Sequence, residues 1–217
     1  MDSVIRIGLV GYEELATTFA RIAKSGLLAH AYCLFGDRGI GKATFAMSFA
    51  AYMEQGNFEW QNVALVDCTV IEPGESGNIG IDAVRTLRRF LWQTPFRSSR
   101  RVAIVDDAET LTPEAQGALL KIMEEPPPHA LLLLVTNQAD LLSPPLRSRL
   151  SVVYVPRLPA AEVERFLVKH HGCSPAAASR LAARSFGSIG RALGLLNPKE
   201  KPLGDSEGSP RDVGDEI

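Results

Sequence analysis

The chain has 217 residues, of which 46% are apolar and 22% charged, with a net charge of −2. This is the composition of an ordinary soluble globular protein with one large domain, or a medium one plus a small one, and it excludes a global basic field for gripping nucleic acid. The three cysteines, Cys33, Cys68 and Cys173, are odd in number and far apart; they fit neither a disulfide framework nor a zinc site, and they point to a reducing cytoplasm.

Along the chain, residues 13 to 25 read as an amphipathic helix with Leu15, Phe19 and Ile22 on one side. The N-terminal residues Met1 to Arg6 lack the apolar core of a signal peptide, and no apolar run reaches membrane length. Ala31 to Phe35 is the first core strand. Phe45, Phe49, Tyr52 and Met53 then recur at helical spacing. Val63 to Val66 reads as a second strand, Glu72 to Gly80 as a polar loop, and Ile81 to Trp92 as a helix. A strand at Val102 to Val105 precedes Asp106 and Asp107; an apolar run of four suits a strand buried on both faces. Thr112-Pro113-Glu114 is a helix start, with a capping hydroxyl, a proline at the first position and an acid in the first turn. That helix stops before Pro126-Pro127-Pro128. Strands at Leu131 to Val135 and Val152 to Val155 follow.

Strands alternating with helices predict an α/β fold with a mainly parallel sheet over residues 1–156. After Pro156 the pattern is helical: Ala160 to His171, Pro175 to Ser185 and Ile189 to Leu196 form a small all-α lid over 157–196. Residues 197–217 hold three Pro, three Gly, three basic and six acidic residues. They lack a core and read as a disordered tail.

The chemistry concentrates in Gly36-Asp37-Arg38-Gly39-Ile40-Gly41-Lys42, between the first strand and the next helix. Gly36, Gly39 and Gly41 let the backbone curl so that successive N–H groups face one anion, and Lys42 adds a positive charge for the outer phosphates. The plain alternative is a glycine-rich turn that binds nothing; the strand before and the helix after weigh against it. Ala43 stands where a Ser or Thr hydroxyl holds Mg²⁺ in such loops, and Thr44 is one position late, turned about 100° away. The loop is suited to holding a nucleotide and poorly equipped to hydrolyse one.

Asp106 ends its strand where α/β sheets bind ligands and would reach Mg²⁺ through water. Asp107 occupies the place of a water-polarising Glu but is one methylene shorter, and reaction geometry tolerates errors of only ~1 Å. It is the weak base candidate of the site.

His30-Ala31-Tyr32, Ile81-Asp82-Ala83-Val84-Arg85, Asp106-Asp107-Ala108-Glu109, Ala118-Leu119-Leu120-Lys121-Ile122-Met123-Glu124-Glu125-Pro126-Pro127 and Leu146-Arg147-Ser148-Arg149 occur in that order. Over residues 8 to 195 the chain resembles the clamp-loader subunits of bacterial DNA polymerase III, and delta-prime most. The resemblance implies an AAA+ P-loop NTPase domain, a three-helix lid and a C-terminal collar that joins subunits into a ring. It places Val10 and Tyr12 near the adenine and Asn137 at the sensor-1 position that feels the γ-phosphate. Arg149 becomes an arginine finger reaching a neighbouring subunit's ATP, a role suited to a rigid, always-charged donor fork.

The departures from the family pattern are informative. Leu150 replaces the Cys of Ser-Arg-Cys. Gly190 stands where active loader ATPases carry a sensor-2 Arg, with Arg191 one position off. Gly117 replaces a helix Asn. The four-Cys zinc module and the collar have no counterpart in this sequence.

The resemblance thus implies a subunit of the loader that sets the sliding clamp on primed DNA, acting as a stator with weak or no ATP hydrolysis. ATP is the implied ligand, with Mg²⁺ held weakly or not at all, and zinc is not expected. Its partners would be the gamma/tau and delta subunits, with the clamp and primer-template DNA met through the complex, in the bacterial cytoplasm at the nucleoid-associated replisome. The alternatives are an active gamma/tau-type ATPase and a non-catalytic nucleotide-binding module with other partners. Arg85, Arg88 and Arg89 share a helix face and, with Arg97, Arg100 and Arg101, could meet DNA phosphates; a solvated basic face is the plainer reading. Trp60 and Trp92 read as core or interface packing.

Overall fold

A computed structural model of the protein describes residues 10–59 and 63–197. The expectations for Trp60 and for residues 198–217 lie outside these residues.

Five strands form one parallel sheet: β1 (Ala31–Phe35), β2 (Cys68–Ile71), β3 (Arg101–Val105), β4 (Ala130–Thr136) and β5 (Ser151–Tyr154), in the order β2-β3-β4-β1-β5. Strands β1, β3 and β4 are buried almost throughout, and apolar apart from Arg101 at the start of β3 and Thr136 at the end of β4, because both of their faces are covered. Tyr32 and Leu34, Val102 and Ile104, and Leu131, Leu133 and Val135 turn to one face. They pack there with α1 (Glu13–Lys24) and α2 (Lys42–Gln55), around Phe19, Phe45 and Phe49. Ala31, Cys33, Ala103, Val105, Leu132 and Leu134 turn to the other face, against α3 (Ile81–Leu91) and α4 (Pro113–Glu124).

The predicted cap of α4 forms: Thr112 Oγ1 accepts the Ala115 N–H, with Pro113 in the first turn. Helices α6 (Ala160–His171), α7 (Pro175–Ser185) and α8 (Ile189–Leu196) follow the sheet with the expected bounds. They contribute Val163, Phe166, Leu167, Ala178, Ala182 and Ala192 to the first core.

One expectation is corrected. Val63 to Val66 is not a strand: Val63 and Val66 are 58% and 43% exposed, and pairing with β3 begins only at Asp67, whose carbonyl accepts the Val102 N–H. Pro144 to Arg147 is a helical turn, α5. Proline is tolerated in a helix's first turn, where its missing N–H has no partner to lose. Trp92 lies half-exposed at the surface, which excludes core packing and suits the interface alternative.

Candidate nucleotide-binding site

The carboxyl ends of β1, β3 and β4 carry the site. Phe35 leads into Gly36, Val105 into Asp106, and Thr136 into Asn137. The loop after β1 needs its glycines for space. A Cβ on Gly36 would stand 2.4 Å from the Val155 carbonyl oxygen, and one on Gly39 would stand 2.8 Å from Ser188 Oγ. Gly41, at φ 100°, opens α2.

Lys42 is 5% exposed. Its ammonium donates to Gly36 O at 2.8 Å, Asp37 O at 2.8 Å and Asn137 Oδ1 at 2.7 Å, which engages all three of its donors. Burial lowers its pKa, against the opposing pull of Glu109, Asp106, Asp107 and Asp37. Asp106 and Asp107 are both raised above the usual carboxylate range. The cause for Asp106 is chiefly burial, with the charges of Asp107 and Glu72 adding to it; for Asp107 it is chiefly burial, with Glu109 adding. Asp106 Oδ1 accepts the Asp107 N–H at 3.0 Å, and Asp107 sits in the left-handed region at φ 46°. Ala43 follows Lys42 in the first turn of α2 and carries no hydroxyl.

Asn137 joins this cluster as its position after β4 predicts. Its partner Glu109 does not stand out in the sequence as a site residue. Asn137 Nδ2 donates to Glu109 Oε1 at 2.8 Å, and Glu109 Oε2 is buried without a partner. The one signal was that Glu109 lies three residues beyond Asp106, across the single turn Ala108–Thr110.

Tyr12 seals the loop from the other side. It is buried, and its hydroxyl lies 2.8 Å from Ile40 O and 2.9 Å from Pro156 O, sharing one proton between the two. Burial, with Tyr154 nearby, raises its pKa. Val10 packs against the same core. From the helical end, the Gly190 N–H donates to Gly39 O at 2.8 Å and Ser188 Oγ to Arg38 O at 3.3 Å, and Arg157 pairs with Asp37. Arg191 lies over the Phe186 ring at 5.0 Å.

Arg149 is not brought to this cluster. It pairs with Glu124 at the end of α4, Nη2 to Oε1 at 3.0 Å, and Nη1 donates to Pro145 O at 3.1 Å. Its side chain stays 40% exposed. Arg147 turns instead to Asp140 at 2.9 Å. The six arginines around α3 do not form one face. Arg101 is buried against Asp67 at 3.4 Å, Arg97 pairs with Glu54, and Arg100 donates to the carbonyls of Pro128 and Ala130.

The loop fits a phosphate group, having strand, glycine curl and buried lysine in place. The outer end is already satisfied by the chain's own groups. Among the described residues no cluster of three or more His, Cys, Asp or Glu is arranged to hold a metal ion, and no helix is long and apolar enough to cross a membrane.

A parallel sheet with this loop after β1, and with acids and an amide at the neighbouring strand ends, defines the P-loop NTPase class. Within that class, the model of the family described as DNA polymerase III, delta subunit matches residues 11–159. The chain is 36% identical over 135 residues to DNA polymerase III subunit delta' of Pseudomonas aeruginosa, covering 56% of this chain and 41% of that one. It is 30% identical over 205 residues to DNA polymerase III subunit tau of Escherichia coli, covering 87% and 32%. It is 32% identical over 154 residues to subunit gamma/tau of Mycobacterium tuberculosis, covering 65% and 27%. The chain therefore spans well under half the length of these curated relatives.

Among solved structures, it resembles a gamma subunit-related DNA polymerase III protein of Thermotoga maritima, with TM-score 0.51 and 25% identity over 84% of this chain and 63% of that one. The Thermotoga maritima RuvB Holliday junction branch migration motor shares the fold, with TM-score 0.63 and 20% identity over 88% and 63%. The chain belongs to the DNA polymerase III delta-subunit family of AAA+ clamp-loader proteins.

Proposed function

We propose that this chain acts in DNA replication as a delta-prime-like subunit of the DNA polymerase III clamp loader. It serves mainly as a stator and turns over ATP slowly or not at all. The observation that carries this reading is Lys42: all three of its donors go to the chain's own oxygens, while Ala43 offers no oxygen to Mg²⁺. In this reading the N–H groups of residues 36–42 and Lys42 hold a nucleotide's phosphates, Val10 and Tyr12 border its base, and Asp106 and Asn137 face its outer end. A bound nucleotide supplies the anion around which the loop and residues 157–196, the proposed lid, close together. Asp107 is at best a weak base, because its carboxylate is one methylene short of the water-polarising Glu and reaction geometry tolerates errors of only ~1 Å.

Arg149 is the residue this subunit gives to a neighbour. Its resting pair with Glu124 is a half-exposed one, of a kind worth ~0–1 kcal/mol, so releasing the guanidinium toward another subunit's phosphates costs little. Partners in this reading are gamma/tau and delta subunits, with the clamp and primer-template DNA engaged through the assembly.

A second reading, an active gamma/tau-type ATPase, draws on the match to Escherichia coli subunit tau, which covers 87% of this chain. Steady-state hydrolysis separates the two. The purified protein should hydrolyse ATP no faster than its Lys42→Ala variant; robust turnover abolished by Lys42→Ala would replace the stator reading with the ATPase.

A further inference from the structure

We infer that Glu109 stands in for the terminal phosphate of a nucleotide, and so makes this site select a diphosphate over a triphosphate. The inference rests on the phosphate-loop reading above.

Asn137 lies between two groups of opposite character. Lys42 can only donate hydrogen bonds, and the Glu109 carboxylate can only accept them. An amide's O and N are assigned from such a network, and here one orientation alone satisfies both sides: Oδ1 toward Lys42 at 2.7 Å, Nδ2 toward Glu109 at 2.8 Å. The Asn137 backbone N–H also points at Glu109 Oε1, at 3.4 Å.

The family resemblance gives the residue at this strand end the role of sensing a terminal phosphate, to which its amide would donate. Glu109 already takes that donor, and through Asn137 it fixes the third donor of Lys42. The other two hold Gly36 O and Asp37 O, within the loop itself. The remaining Glu109 oxygen is buried and unpartnered, so the carboxylate is a resident negative charge where an incoming one would go. Asp106 and Asp107 act on Lys42 alongside it. A third phosphate must displace Glu109 from Asn137 and then lie beside its charge. A diphosphate held by the loop backbone need not.

The experiment titrates ATP and ADP, with and without Mg²⁺, into the full chain and into its Glu109→Gln and Glu109→Ala variants, by calorimetry. The wild type should bind ADP at least as tightly as ATP. Glu109→Ala should tighten ATP by ~10- to 100-fold, the range of one hydrogen bond to a charged group, and leave ADP unchanged. Glu109→Gln keeps an acceptor but loses the charge, so it should move ATP in the same direction by less. Because Gln is isosteric, it keeps the test open if Ala fails to fold.

In the nucleotide-free protein, the Asn137 side-chain amide should be protected from exchange, and Glu109→Ala should remove that protection. An ATP-to-ADP ratio equal in all three proteins, or an amide equally protected in all three, overturns the inference. Absence of binding by both nucleotides to all three proteins overturns it together with the phosphate-loop reading, and the ADP arm identifies that case.

Discussion

Gly190 rests directly on Gly39. Its N–H donates to the Gly39 carbonyl at 2.8 Å, and a Cβ added to Gly190 would stand 3.0 Å from Gly39 Cα and 3.1 Å from Gly39 O. The family resemblance places a sensor-2 arginine at this position in active loader ATPases. Here the glycine is more than a missing side chain, because the loop backbone fills the space a side chain would need.

Restoring an arginine at this position should therefore fail to restore hydrolysis. The obstacle to a Cβ is backbone, which cannot rotate aside, and overpacking typically costs ~1–3 kcal/mol. Gly190→Arg should lower stability in urea unfolding by about that amount, and Gly190→Ala by less, because alanine's helix preference of ~1 kcal/mol offsets part of the crowding. Neither should raise ATP turnover above the wild type.

Asp67 fixes the loop between α3 and β3. Its carboxylate accepts the N–H groups of Phe96, Arg97 and Ser98 at 2.7, 2.6 and 2.7 Å and faces the buried Arg101. Burial alone would raise its pKa, but the three N–H donors and Arg101 outweigh it and hold the carboxyl below its usual range. A pKa lower folded than unfolded means the stabilisation is fully present above the ordinary carboxylate range and is lost as pH falls through the folded value. Asp67→Asn leaves Arg101 uncompensated and should cost ~3–5 kcal/mol at neutral pH. Unfolding curves of the two proteins should converge as pH falls below ~4.

Gly117 lies exposed in the middle of α4, and a Cβ there meets nothing within 4 Å. Gly117→Ala should stabilise the protein by ~1 kcal/mol, read as a rise in urea midpoint at unchanged slope.

The parts legible in the sequence are those set by local pattern. The bounds of α6, α7 and α8 and the cap of α4 agree with periodicity and capping chemistry. The loop and the strand ends bearing Asp106 and Asn137 agree with the P-loop pattern. What escaped depends on distant partners. Val63 to Val66 is apolar, but strand pairing is decided by register with β3, some 35 residues on. Glu109 gains its role from Asn137, 28 residues away. The Ser143-Pro144-Pro145 start of α5 resembles the Thr112-Pro113 start of α4, yet a helix of four residues leaves no apolar period to read. Arg147 and Arg149, at the end of this turn, pair with Asp140 and Glu124 respectively.

The most direct test of the account is the trans action of Arg149. A loader ring reconstituted from this protein with the gamma/tau and delta subunits proposed as its partners would carry Arg149, Arg149→Ala or Arg149→Lys, and DNA- and clamp-stimulated ATP hydrolysis would be measured. Trans arginine fingers contribute ~10³–10⁵ in rate in other NTPases, and lysine keeps the charge without the planar fork. Both variants should assemble normally and hydrolyse ATP at least ~10-fold more slowly than the wild type. Wild-type rates from both variants in fully assembled rings would contradict the trans action of Arg149.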